Sequence, residues 1–161
     1  MVSCSSEKGI VLLLFEEEAR IFIHKFRQPE NSCLIDSKNE FLEKLELQLQ
    51  EYFSGKRRKF SVELDLRGSD HQLKIWEKVQ NIPFGETRNY GDIAVEMGGK
   101  NYTRVVANAN AQNNILILIP CHRVIGSGNK LTGYRGGIER KRWLIGFERT
   151  FNEANNKDTL F

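Results

Sequence analysis

Residues 115–119 read ILILI, five aliphatic side chains in a row, and Pro120 closes the run. A run that apolar has to be buried, and five residues is strand length rather than helix length. The proline then predicts a buried strand that stops where Cys121 and His122 begin. Whatever the fold, it must bring one thiol and one imidazole to the edge of a core. Cys121 is either a small apolar filler at that edge or a presented nucleophile. An ordinary thiol, with a pKa of about 8.5, is only slightly ionised at neutral pH, so a reactive one needs a base nearby. His122 is the adjacent base, yet neighbours on a strand point to opposite faces. It can assist only if the chain turns sharply after Pro120, or if a water bridges ring and thiol. A carboxylate behind the imidazole would fix its tautomer, and Glu148, after the closing helix, is the candidate.

The periodicity around that run divides the chain into two lobes and a tail. IVLLLFEEEARIFIHKF, residues 10–26, predicts two strands around a polar EEEA turn. Phe41, Leu42, Leu45, Leu49, Tyr52 and Phe53 recur at spacings of three and four, which predicts an amphipathic helix stopped by Gly55. FSVELDL, residues 60–66, alternates as a strand does. Residues 1–67 therefore form a small strand-and-helix lobe in this reading. Residues 68–150 are mainly helical. SDHQLKIWEKVQNI starts from Ser69 as N-cap, and YGDIAVEMGG and YTRVVANANAQN follow as two short helices. That last pair, joined through Gly98 and Gly99, fits a helix-turn-helix. GSGNKLTGYRGG (126–137) is a glycine-rich loop, IERKRWLIGFE a closing helix, and residues 151–161 a flexible tail. The predicted fold class is α/β with two lobes.

The net charge of +3 says little, but its distribution says more. Between Met97 and Phe147 stand Lys100, Arg104, Arg123, Lys130, Arg135, Arg140, Lys141 and Arg142 against the single acid Glu139. A one-sided basic region suits a polyanion such as nucleic acid, and it equally suits a solvated basic face. Cys4, Cys33 and Cys121 cannot all pair and make no CxxC, which predicts free thiols in an intracellular protein. MVSCSSEKGIV lacks the pattern of a signal peptide, and no segment approaches the ~18 apolar residues that cross a bilayer. The expected location is cytoplasmic, with no membrane partner. Cys4, His24, Cys33 and His71 raise the question of zinc in the N-terminal lobe, but their spacings of 20, 9 and 38 fit no common structural zinc pattern. The expectation is no metal and no cofactor, with zinc in the N-terminal lobe as the lesser alternative.

NYGDIA (89–94), the Thr103-Arg104 pair at a helix start, IPCHRV (119–124) and GYRGG (133–137) together resemble the O6-alkylguanine-DNA alkyltransferases, also called methylated-DNA–protein-cysteine methyltransferases. The resemblance is close over Ser69–Glu148. Over the N-terminal lobe it holds only in outline, the family's counterpart having a ribonuclease-H-like shape. It implies that Cys121 accepts an alkyl group from O6-alkylguanine in double-stranded DNA, with His122 acting through a water and Glu148 behind it. It implies that Arg104 fills the hole left by a flipped base, that Tyr90 crowds a phosphate and meets the guanine edge, and that Thr103 and Ala107 lie on a helix entering the minor groove. Asn113 would brace the turn before Cys121. Val124 and Cys121 would offer backbone carbonyls to the exocyclic amine. Tyr134 and Arg135 would close over the base, with Lys141 near Tyr90. A monomer consumed one alkyl group at a time, with cooperative binding along DNA as an option, completes the expectation; in a nucleated cell it would work in the nucleus, otherwise on the nucleoid.

The chain departs from the family pattern in places. Ala107 and Asn108 stand where small glycines are usual, Asn114 where a proline is, Arg135 where a serine is common, and Leu116 where some members carry a proline. Three other readings compete. A damage binder would lack the acceptor cysteine. A Cys-His-Glu thiol hydrolase would turn over repeatedly and would not need Arg104. A plain helix-turn-helix regulator would not need Cys121 and would ordinarily dimerise on the major groove.

Overall fold

In the computed structural model, which describes residues 1–26 and 38–158, the chain divides into two units, Met1–Leu66 and Arg67–Phe161. The first begins with an antiparallel hairpin, β1 (Val2–Ser6) and β2 (Gly9–Leu14). The hairpin thus lies earlier than residues 10–26, and its partner strand is the polar VSCSS. After β2 comes a helix, α1 (Glu16–Phe26), where the sequence suggests a turn and a second strand. Three glutamates in the first turn sit at the positive end of the helix dipole, Ala19 is fully buried, and Ile21 is exposed. The first isoleucine of the I-F-I alternation therefore faces solvent.

The amphipathic helix expected over 38–53 is present as α2 (Glu40–Phe53), capped by the Asn39 side chain, which accepts from the Leu42 amide at 3.1 Å. Leu45 and Tyr52 from this helix bury against the Ile10, Leu12, Leu13 and Leu14 core. The strand expected over 60–66 reduces to one parallel bridge, Ile10 with Leu64. Its backbone is satisfied another way: buried Gln48 of α2 accepts from the Ser61 amide at 2.8 Å and donates to the Ser61 hydroxyl at 3.0 Å. Cys33, part of the zinc question, lies outside the described residues, as does the side chain of His24. Among the described residues no three His, Cys, Asp or Glu side chains gather as a metal site requires. No described helix is long and apolar enough to cross a membrane.

The second unit opens with α3 (Asp70–Gln80). Ser69 caps it, and the cap is reciprocal: the Ser69 hydroxyl accepts from the Gln72 amide and the Gln72 side chain accepts from the Ser69 amide. α3 buries Ile75, Trp76 and Val79, each worth about 1.5–3 kcal/mol if fully withdrawn from water. The Trp76 indole N–H donates to the Ala109 carbonyl at 2.9 Å and so ties α3 to a later helix. β3 (Arg88–Asn89) pairs in parallel with β4 (Val124–Ile125) and leads straight into α4 (Tyr90–Glu96). Gly98 (φ 121°) and Gly99 (φ 144°) end α4 with backbone that side-chain-bearing residues rarely adopt. A single 3-10 turn, Lys100–Tyr102, then feeds α5 (Thr103–Ala111).

The aliphatic run is buried, but it is not a strand. The Leu118 amide donates to the Leu116 carbonyl at 2.9 Å across Ile117, whose φ is 73°. The Cys121 amide donates to the Ile119 carbonyl at 2.8 Å across Pro120 (φ −80°, ψ 58°). The second arrangement is an inverse γ-turn, for which the proline ring is already set. A 3-10 turn from Cys121 to Arg123 follows, so the sharp bend after Pro120 exists. The closing helix, α6 (Ile138–Asp158), runs past residue 150, where a flexible tail was expected. Phe151 packs against Phe147 at 4.9 Å between ring centroids, and Asn152 lies against Gly85. Those two contacts hold another turn that lacks obvious apolar periodicity.

Candidate active site

α5, the 3-10 turn at Cys121 and the loop after β4 enclose a cavity of about 530 Å³. Its lining includes Tyr90, Thr103, Arg104, Ala107, Cys121, Tyr134 and Arg135, seven of the residues singled out from sequence. Ala111 completes the wall with Asn110, Thr132 and Gly133, the last three unforeseen as site residues. Thr103, Ala107 and Asn110, with Arg104 and Ala111, recur at three- and four-residue spacings, so one face of α5 makes one side of the cavity. The other five sequence candidates, His122, Glu148, Asn113, Val124 and Lys141, lie behind the lining and are all buried.

Asn113 sets the position of the thiol. Its side-chain amide donates to the Ile119 carbonyl at 2.9 Å and to Cys121 Sγ at 3.1 Å, while its carbonyl accepts from the Ile115 amide at 2.8 Å. One fully buried carboxamide therefore spans the aliphatic turn from its first residue to the cysteine. Burial pushes the Cys121 thiol up to about 11, against the pull of the Asn113 hydrogen bond and the Lys141 charge. The resting sulfur is a neutral thiol.

His122, buried completely, lies 2.9 Å through Nε2 from Glu148 Oε1. Glu148 also receives two bonds from Arg123, Nε to Oε2 and Nη2 to Oε1, both at 2.8 Å, and one from the Gly85 amide at 3.0 Å. Arg123 spends its remaining terminal nitrogen on the Ile82 carbonyl at 2.7 Å. Burial alone would raise the Glu148 carboxyl, but His122 and Arg123 outweigh it and hold the group well below the usual carboxylate range. Burial pushes the His122 imidazole down, with Glu148 opposing. An ionised Glu148 can only accept, so neutral His122 must carry its hydrogen on Nε2. Its Nδ1 keeps a lone pair and has no hydrogen bond within the protein. The site thus holds a neutral base whose partner stays charged at neutral pH.

Arg123 is the member of this network that sequence reading missed; it counted only as one more positive charge. Its position inside PCHRVI, among buried residues, was the available signal. Lys141 is the second cation withdrawn from the basic region. Its ammonium donates to the carbonyls of Val124 (2.6 Å), Thr132 (2.7 Å) and Gly133 (3.0 Å), which ties the loop after β4 to β4 itself. Burial lowers it to about 8, so it stays mostly protonated at neutral pH. The Val124 carbonyl, expected to face a substrate amine, already accepts from Lys141. The Tyr90 ring centroid is 5.8 Å from the same ammonium. Burial raises the Tyr90 phenol, and Asn110 beside it pulls the other way. At the rim, Arg104 and Lys100 are exposed, and Arg104 makes no hydrogen bond or ion pair with the described residues. The Thr103 hydroxyl donates to the Lys100 carbonyl at 2.6 Å at the head of α5.

The chain is similar to known proteins. Residues 70–150 match the family model described as 6-O-methylguanine DNA methyltransferase, DNA binding domain, and residues 4–66 match its ribonuclease-like domain. A methylated-DNA–protein-cysteine methyltransferase of Mycolicibacterium paratuberculosis is 50% identical over 108 residues, covering 67% of this chain and 66% of that protein, just under two thirds of its length. One from Methanosarcina acetivorans is 38% identical over 87% of this chain and 92% of its own. The OGT of Mycobacterium tuberculosis, solved in complex with DNA, superposes with a TM-score of 0.79 at 38% identity, covering 92% of this chain and 86% of that one.

Proposed function

The chain belongs to the methylated-DNA–protein-cysteine methyltransferase family, and from that membership we propose that Cys121 takes the alkyl group of O6-alkylguanine in double-stranded DNA, once per molecule. The observation that carries the reading is the placement of the Cys121 sulfur in the cavity wall, with the buried His122–Glu148–Arg123 network following it in the chain. A thiol near 11 does not ionise unaided at neutral pH, so its proton has to leave as the sulfur attacks. His122 Nδ1 takes that proton through a bridging water, and Glu148, kept anionic by Arg123, stabilises the imidazolium. Sulfur displaces the O6 oxygen at the alkyl carbon: one S–C bond forms and one C–O bond breaks. The electron pair leaves on the base, which takes a proton and becomes guanine. The thioether does not hydrolyse, so the protein is spent. The acceptor is the protein's own sulfur, and the reaction calls for no cofactor.

The reacting oxygen lies inside the stacked duplex and has to be extruded, at a cost of a few kcal/mol. In this reading α4 and α5 work as a helix-turn-helix pair, with α5 in the minor groove, where base identity is poorly readable. That suits repair at any sequence. Ala107 and Ala111 leave room for close approach, Arg104 takes the place of the flipped base, and Tyr90 drives the rotation. Unit 1 plays the part of the ribonuclease-H-like lobe. The protein acts as a monomer on DNA inside the cell.

Peptide mass spectrometry after incubation with a duplex carrying one O6-methylguanine tests this. The expected result is a gain of one methylene confined to the Cys121 peptide. Tight damage-specific binding with no gain in mass would make the protein a binder instead.

A further inference from the structure

Asn110 occupies the cavity wall on the last turn of α5, 5% exposed, and neither its carbonyl nor its amide completes a hydrogen bond. The carboxamide lies beside the Tyr90 phenol and pulls it down, yet in a geometry that completes no hydrogen bond. Its neighbours in the chain show how unusual this is: buried Asn113 has both of its polar atoms engaged, and the Ala109 carbonyl is taken by Trp76. A buried donor and acceptor left open are costly to keep, and an apolar side chain of the same size would fit the helix better. A group of that kind, facing a cavity, is placed to be matched by a ligand.

A carboxamide offers a donor and an acceptor side by side, and it is met best by a donor flanked by an acceptor. On an O6-alkylated guanine that pattern is the exocyclic amine with the ring nitrogen on either side of it. Resting on the reading of Cys121 as alkyl acceptor, we infer that Asn110 pairs with the exocyclic amine edge of the extruded purine and makes the site selective for 2-aminopurine bases. The amine then has a side-chain acceptor besides the Val124 carbonyl, one of whose lone pairs is already committed to Lys141. Asn110 is a specificity-determining residue, separate from the sulfur, the imidazole and the carboxylate.

The test is single-turnover transfer from two duplexes, one with O6-methylguanine and one with O6-methylhypoxanthine, which lacks the amine, by wild type and by N110L. In the wild type, removing the amine is expected to slow transfer about tenfold, the effect of one unpaired buried hydrogen bond. In N110L that penalty should shrink to about twofold, and the melting temperature should hold or rise. An equal amine penalty in both proteins overturns the inference. So does a fall in melting temperature with both substrates slowed alike, the mark of a purely structural residue. N110M gives the same comparison if N110L does not fold. A double cycle with Y90F separates base reading from the mere orienting of Tyr90: an N110L effect that vanishes in the Y90F background overturns the inference. A wild type that methylates Cys121 from neither duplex would sink the alkyl-transfer reading itself. Normal wild-type transfer with an unchanged amine penalty in N110L would sink only this one.

Discussion

The two sides of the cavity solve opposite problems. Behind Cys121, Arg123, Glu148, His122, Lys141 and Asn113 are all buried, and the charged groups are held by short hydrogen bonds. At the rim, Arg104 and Lys100 stand in solvent, and Arg104 has no partner among the described residues. A buried charge is tolerable only when paired, so the inner side is rigid by necessity. In the proposed reading, a cation that meets a phosphate or an orphaned base has to be uncommitted until DNA arrives, and an open rim follows from the same physics. The basic region of the sequence mixes the two. Of its eight cations, Arg123 and Lys141 serve the interior, and only the rest can meet a polyanion.

Substitutions on each side should therefore have different signatures. The largest effect is expected from Cys121→Ala: methyl transfer is lost entirely while affinity for DNA is kept, as a gel-shift assay alongside the transfer assay would show. Loss of both together would erase the division between the two sides. Next comes Arg123→Met, which strands the Glu148 carboxylate; destabilisation of about 3–5 kcal/mol in urea unfolding is expected. A change below about 1 kcal/mol would mean that Arg123 is dispensable to the inner side.

The thiol itself is the third point of attack. With Cys121 pushed up to about 11, its iodoacetamide reaction in free protein should have its pH midpoint near there. A midpoint at or below the ordinary thiol value would mean that the network ionises the sulfur at rest. Acid sensitivity should be milder. Burial disfavours protonated His122, so below about pH 6.5 the unfolded chain takes up a proton that the folded site resists, and stability falls as pH falls. Glu148, depressed in the folded state, adds its own loss as the pH drops below about 4.3. Differential scanning calorimetry should show a falling melting temperature between pH 7 and 5; a flat profile would contradict the neutral assignment of His122. The smallest effect is expected at the rim. Arg104→Ala should leave the melting temperature unchanged and reduce the salt slope of DNA binding by about one. An unchanged slope would remove Arg104 from the DNA-facing side.

The same contrast explains what could be read from the sequence. Helix α3 with its Ser69 cap and the amphipathic α2 were legible because their signals are local: a capping pair and a stripe of apolar residues. The cysteine, histidine and glutamate were legible as chemistry because a thiol near a base and a carboxylate is a recognisable set. The shape of residues 115–119 was not, because ILILI has strand composition and the turn depends on Asn113 bonding across it. Helix α1 was misread for a related reason. Alternation in RIFIHKF resembles a strand, and only tertiary packing reveals that Ile21 faces solvent. Asn110 was invisible as a site residue, and Arg123 was marked only by its place inside PCHRVI, since burial inverts what a cation or an amide does and burial is not written in composition.

One measurement bears most directly on the inner side as a single-use acceptor: the number of O6-methylguanines restored per protein molecule when damaged duplex is in large excess. A plateau at one, reached as Cys121 is consumed, is the expected result. Continued repair beyond one per chain would contradict it, and would make Cys121, His122 and Glu148 the triad of a hydrolase that regenerates its thiol.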